Sequence, residues 1–394
     1  MDVKVDFSGR ALEYTQEELD VVMAALVSAT PLTQGRFQTA FQNKFCEFNG
    51  AQHAFAMFNG TCALEVAAQL CLLQPGDEVV CPSHTFTASA YPFAKKGGKL
   101  VWADVDLDSR VVTAATIAKA LTPRTRVIIV VHLYGYVADM PAIMELAREK
   151  NILVVEDACQ AIGADIDGVM AGSFADFGIF SFHSHKNLTT MGEGGMLTVT
   201  AKKYADIIPM LRHNGHCAFP FDRKDYWAPA MGNVDMPELD GVALWPNNYC
   251  LGEVECALGA KQLDRVLEIN AEKRVRAIAF IDALADFPEL VFHRVDSTRH
   301  NYHLLAARMD GPVARRDDFI RRMYNEKGVK CVVQYYPLHR YPLYQKLGFG
   351  MADCPNGDKF FDHMISFPFQ HHLTESEFSH MLESTRDILR QQRG

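Results

Sequence analysis

From about residue 54 to residue 200, short apolar runs alternate with stretches in which apolar residues recur every three or four positions. Seven runs read as strands: HAFAMF, DEVVCPS, KLVWADV, RVIIVVHL, ILVVED, FGIFSF and GMLTVT. Between them, CALEVAAQLCLL and MPAIMELAREKN carry the helical period. This alternation predicts an α/β fold, a mostly parallel sheet with helices on its faces. Open sheets of that kind collect ligands at the carboxyl ends of their strands. The residues that follow each run are therefore where chemistry is expected.

Downstream, KQLDRVLEINAEKRVRAIAFIDALADF predicts one long amphipathic helix over residues 261–287, stopped by Pro288. Beyond it, YHLLAARM, a helix around DDFIRRMYNEKG and a strand VKCVVQYYP predict a smaller α+β domain. The expected division is 1–264 for the N-terminal segment and large domain and 265–394 for the small one. Residues 218–246 have poor periodicity and many turn formers, which reads as a long functional loop.

Composition narrows the class. The 394 residues are 48% hydrophobic and 22% charged, a globular balance with room for two domains. A net charge of −9 leaves no basic footprint for nucleic acid. The opening MDVKVDFSGRALEY lacks the order of a secretion signal, and no run of about 18 apolar residues follows, so a soluble, cytoplasmic protein with no membrane partner is expected. The ten cysteines form no CxxC pair, which gives no sign of a zinc or redox centre.

The strand ends carry the candidate chemistry. After HAFAMF come Asn59, Gly60 and Thr61 at a helix start, either a simple cap by Thr61 or a cup of unpaired amides suited to phosphate. Phe86 follows the next strand, as core or as a plate for a planar ligand. After ILVV come Glu156, Asp157 and Gln160, and a carboxylate there is costly unless it meets a cation, a metal or several donors. The stretch FSFHSHKN then delivers Ser181, His183, His185 and Lys186 before a GEGG turn. Desolvation would lower the pKa of such an amine and make it nucleophilic toward an aldehyde. A metal bound by His183 and His185, with His213 and His216 downstream, is the alternative; no acidic residue lies at a familiar ligand spacing, and Lys186 has no part in it. A phosphate cup, an aromatic plate, a buried aspartate and a lysine together match the demands of pyridoxal 5′-phosphate.

In the order of these motifs the chain resembles the DegT/DnrJ/EryC1/StrS family, sugar aminotransferases of the aspartate aminotransferase superfamily (fold type I). The resemblance runs over nearly the whole length, through PLTQGRFQTAFQNKF, MFNGTCALE, PSHTFTASAYPFAKKGGKLVWADVD, VVHLYGYVADM, VVEDACQAIGA, GSFADFGIFSFHSHKNLTTMGEGGMLTV, PNNYCLGEVECALGAKQL, VQYYPLHRYPLY and SFPFQHHLTESE. It implies a three-layer fold, pyridoxal phosphate joined to Lys186, and Lys186 as the proton shuttle. It further implies Asp157 at the pyridinium nitrogen, Gln160 at the phenolic oxygen and Phe86 stacked on the ring. Gly60, Thr61 and Ser181 would hold the phosphate, joined by Asn248 from a neighbouring subunit, which implies a homodimer with shared sites.

The implied reaction moves an amine from an amino acid, L-glutamate, to a keto or aldehyde sugar. The rivals are a keto-deoxysugar dehydratase, in which histidine replaces the lysine, a sensor that retains the cofactor, and an enzyme acting on a cyclitol or a nucleotide-free sugar. Three features depart from the family pattern: Cys250 stands where an arginine is common, Arg212, His213, Asn214 and Gly215 replace a slightly different run, and the 218–246 segment is long. His339 and Arg340, with Arg223 and Lys224, are either diphosphate contacts or surface charge.

Overall fold

A computed structural model describes residues 3–218 and 232–393. All seven apolar runs form strands of one sheet: β1 (His53–Met57), β2 (Glu78–Pro82), β3 (Lys99–Ala103), β4 (Thr125–Val131), β5 (Leu153–Asp157), β6 (Phe177–Ser181) and β7 (Gly195–Val199). Their order is β1-β7-β6-β5-β4-β2-β3. Every neighbouring pair is parallel except the two made by β7, which runs antiparallel to β1 and to β6. The unbroken apolar runs have a plain cause. β2 and β7 are buried at every residue and β4 from Val127 to Val131, as strands covered on both faces must be. Each valine or isoleucine fully buried this way contributes about 1.5–3 kcal/mol.

The flanking helices include α1 (Gln16–Ser28), α2 (Arg36–Asn49), α3 (Gly60–Leu70), α4 (Met140–Lys150) and α5 (Glu253–Gln262). Thr15 and Glu18 close a reciprocal capping box at the start of α1. Asn151, at φ 54, ends α4 in the left-handed conformation that asparagine tolerates. α2 packs on β1, and α3 packs on β6 and β7.

The long helix expected over 261–287 is broken. α5 ends at Gln262, Arg265 leaves helical geometry at φ −122 and ψ 1, and α6 (Val266–Asp282) starts anew. The Arg265 guanidinium is anchored away from the axis, donating to Glu18 Oε1 at 2.6 Å and to the Glu13 carbonyl at 2.8 Å. A periodic pattern does not register a tertiary anchor of this kind.

The C-terminal part holds a three-stranded antiparallel sheet of β8 (Leu290–Phe292), β9 (Leu305–Met309) and β10 (Met364–Phe367), with α7 (Val313–Lys327) and α8 (Glu375–Arg393). Phe280, Phe319, Phe367 and Met381 belong to a second hydrophobic core, which Val5 joins through a bridge to Val329. The expected strand VKCVVQYYP makes only isolated bridges, at Val329 and Val332. Tyr335 takes φ 62 and turns the backbone out of extended geometry. Among the described residues, no helix is long and apolar enough to cross a membrane. Arg223 and Lys224 lie outside the described residues.

Candidate active site

Parallel pairing of β5 with β6, with Asp157 in register with Ile179, opens both strand ends on one edge of the sheet. A cavity of about 400 Å³ lies there. Seven of the eight sequence-predicted residues line it: Gly60, Thr61, Phe86, Asp157, Gln160, Ser181 and Lys186. The eighth, Asn248, does not; it is exposed, and its backbone bridges His213.

The turn after β1 has the form of an anion cup. Asn59, not Thr61, caps α3, accepting from the Cys62 N–H at 2.9 Å. Gly60 and Thr61 are thus the first helical residues, whose N–H groups have no carbonyl a turn earlier to meet. A Cβ on Gly60 would lie 3.0 Å from Cys159 Sγ and 3.2 Å from Ser181 Cβ, so a larger residue would press this turn against Ser181.

Adjacent carboxylates on β5 point to opposite faces. Glu156 is spent on structure, accepting from His132 Nε2 at 2.8 Å and from the Phe174 N–H at 3.1 Å. Asp157 faces the cavity, with Ser89 Oγ donating to Oδ2 at 2.7 Å and the Cys159 N–H to Oδ1 at 3.1 Å. Those bonds aim a buried carboxylate and leave acceptor capacity for a cationic ring N–H.

Gln160 accepts from the Tyr134 N–H at 2.8 Å and donates to the Tyr335 hydroxyl at 3.1 Å. One amide hydrogen remains for an oxygen in the cavity. Tyr134 and Tyr335 are both held at φ near 60, a strained geometry that this amide helps to fix (φ 61 and 62). Phe86 keeps 55% of its surface exposed while bordering the cavity, as a ring awaiting a flat partner would.

Lys186 sits in the turn after β6, its N–H bonded to the His183 carbonyl at 2.8 Å. Burial around its ammonium pushes the pKa below that of an ordinary lysine, against the opposing pull of Cys159 and Asp157. A larger fraction of free amine is the state that attacks an aldehyde. A helix N-terminus, a buried aimed carboxylate, an exposed ring and a desolvated amine therefore fit pyridoxal phosphate on the geometry of this chain.

The histidines fall into two separate pairs. His183 and His185 line the cavity with rings stacked at 5.2 Å, while His213 and His216 sit together at 4.6 Å outside it. Among the described residues, no group of three or more histidine, cysteine or acidic side chains is placed to hold a metal. Arg212 is structural: its guanidinium donates to Gln38, Gln42 and the Ala56 carbonyl at 2.7–2.8 Å. Arg340 is held by Asp358 at 2.7 Å and Asp362 at 2.8 Å, and His339 lies 3.3 Å from Asp358, so both are engaged within the chain.

Three positions at the site were not among the residues the sequence singled out. Ser89 aims Asp157 from a short turn beyond β2, Tyr335 fixes Gln160 from the C-terminal part, and His303 lines the cavity from just before β9. For Tyr335 the signal was its place in a quoted motif, VQYYPLHRYPLY. Ser89 likewise lies in PSHTFTASAYPFAKKGGKLVWADVD, whereas His303 carries no local signal, because a distant segment brings it in.

The sequence profile of the DegT/DnrJ/EryC1/StrS aminotransferase family matches residues 13–386. The chain is similar to the GDP-perosamine synthase of Caulobacter vibrioides, at 31% identity over 94% of this chain and 95% of the relative. It is likewise similar to the spore coat polysaccharide biosynthesis protein SpsC of Bacillus subtilis, at 30% identity over 95% of each. A solved aminotransferase from Psychrobacter cryohalolentis superposes with a TM-score of 0.88 at 29% identity, covering 99% of this chain and 100% of its own. The fold is thus the fold type I architecture that the motifs implied. The chain belongs to the DegT/DnrJ/EryC1/StrS aminotransferase family.

Proposed function

We propose that this pyridoxal-phosphate-dependent sugar aminotransferase takes the amine of L-glutamate and delivers it to a keto or aldehyde carbon of a nucleotide-linked sugar. One observation carries the reading: Lys186 and Asp157 share one cavity at the ends of adjacent parallel strands. The name of the Caulobacter relative, a GDP-sugar synthase, supports a nucleotide-linked acceptor. Lysine rather than histidine at position 186 disfavours the dehydratase.

When bound, the cofactor supplies an aldehyde that takes up amines and a ring that withdraws electrons. In this reading Asp157 keeps a proton on the ring nitrogen, and Ser89 keeps Asp157 in place. The α3 N-terminus with Ser181 holds the phosphate, Gln160 meets the phenolic oxygen, and Phe86 covers the ring face. Lys186 Nζ would carry a proton between the substrate carbon and the cofactor's reactive carbon, one way with the donor and the other way with the acceptor, as a base with lowered pKa can.

Homodimerisation belongs to the same proposal. Its supports are the exposed stripe Leu19, Met23, Leu26 and Val27 along α1, and Asn248 exposed away from its own cavity. Ten free cysteines favour a reducing, cytoplasmic setting. The two hydrophobic cores support a division near residue 264, which Val5 crosses in one direction and Leu304, Leu338, Tyr344 and Phe360 cross in the other. Measuring 2-oxoglutarate release from glutamate across nucleotide-linked and free keto sugars tests the reading. Release with a nucleotide-linked acceptor is expected, and release only with free sugars or cyclitols would sink that part.

A further inference from the structure

His303 is 4% exposed and lines the cavity, yet its ring Nδ1 is buried with no hydrogen-bond partner among the described residues. A buried, unpaired ring nitrogen at a cavity wall marks a contact waiting for a ligand. The backbone on either side of the ring is tied down. The His303 N–H donates to Asn301 Oδ1 at 2.9 Å, and its carbonyl accepts from Lys273 Nζ at 3.1 Å.

Lys273 is itself unusual. It is 3% exposed, and its three donated bonds go to neutral acceptors: Asn187 Oδ1 at 3.2 Å and the carbonyls of His303 and Phe369, each at 3.1 Å. No carboxylate pairs with it among the described residues. Asn187 directly follows Lys186 and is held in turn by Asn270 at 2.8 Å. This one ammonium therefore ties the turn of the catalytic lysine to the segment that carries His303.

The charged neighbours that act most strongly on His303 are basic: Lys186, Lys273, His185 and His300. Burial first, then those neighbours, hold it neutral. Two acids line the cavity. Of these, Asp157 is already engaged by Ser89 Oγ and the Cys159 N–H. This corner joins an imidazole with an unpartnered ring nitrogen to the Lys186 amine, and Lys273 behind them has no carboxylate partner among the described residues, so it favours an anionic ligand.

We propose that His303 binds a carboxylate of the amino-acid donor, and that Lys273 is the positioning residue behind it. The proposal rests on the aminotransferase reading, since that reaction brings a carboxylate to this cavity.

Calorimetric titration of the cofactor-loaded protein with glutarate, a dicarboxylate with no amine to transfer, tests it. His303→Leu is expected to weaken glutarate about tenfold or more, and His303→Gln, which keeps an N–H donor, much less. Lys273→Met should raise the KM for glutamate and leave that for the keto sugar unmoved, with Lys273→Arg restoring most of the loss. In the unaltered protein, glutaramide should bind about tenfold more weakly than glutarate. Equal binding of glutarate and glutaramide overturns the proposal, as does unchanged glutarate affinity in a His303→Leu protein that still holds its cofactor. Failure of the aminotransferase reading shows separately, as no change in the cofactor's absorbance when glutamate is added.

Discussion

Ser89 Oγ donates to Asp157 Oδ2 at 2.7 Å, from a turn that follows β2, two strands across the sheet from β5. A bond to a buried carboxylate is worth about 1.5–3 kcal/mol. Ser89→Ala should therefore weaken the hold on pyridoxal phosphate by about tenfold, read by absorbance during dialysis. An unchanged affinity would mean that the Cys159 N–H alone fixes the carboxylate.

Gly195 opens β7 directly beneath the anion cup. A Cβ there would lie 2.5 Å from the Asn59 carbonyl carbon and 2.7 Å from the Gly60 nitrogen, both backbone atoms that cannot step aside. Gly195→Ala should push the cup off its geometry, costing about 1–3 kcal/mol of stability and most of the phosphate affinity. Chemical denaturation and cofactor titration read the two effects, and an intact cup in that variant would contradict this packing.

The sheet was legible because burial on both faces leaves an unbroken apolar run, as in RVIIVVHL, where Val127 to Val131 are all buried. Lys186 and Asp157 were legible because each ends such a run. The places of Ser89, His303 and Lys273 were not, since they arise from contacts between residues 30 to 96 positions apart. The break at Arg265 escaped for a like reason: its cause, Glu18, lies on α1. Thr61 was a candidate cap by type alone, whereas the structure gives that task to Asn59.

Lys273 links stability to pH. Burial pushes its pKa down to about 7, well below that of the unfolded chain. Between about pH 7 and 10 the unfolded state therefore binds more protons than the folded one, so this group makes stability rise with pH. The burial penalty is fully present below about pH 7. Denaturation midpoints of the unaltered protein should climb over that window relative to those of Lys273→Met. Parallel pH profiles for the two would rule the effect out.

Shared sites predict rescue by mixing. Lys186→Ala and Asn248→Ala proteins should each be impaired alone. Unfolded, combined and refolded together, they should regain activity through the mixed dimers that hold one unaltered site. Activity that never exceeds the sum of the separate proteins would speak against a contribution of Asn248 across subunits.

The most direct measurement is where the cofactor is attached. Borohydride treatment of the loaded protein, followed by peptide mass spectrometry, should place the cofactor-derived mass on Lys186. Lys186→Ala should lose that mass, the visible absorbance and turnover together. A label on another lysine, such as Lys273, or normal turnover by the Lys186→Ala protein would show that the chemistry lies elsewhere.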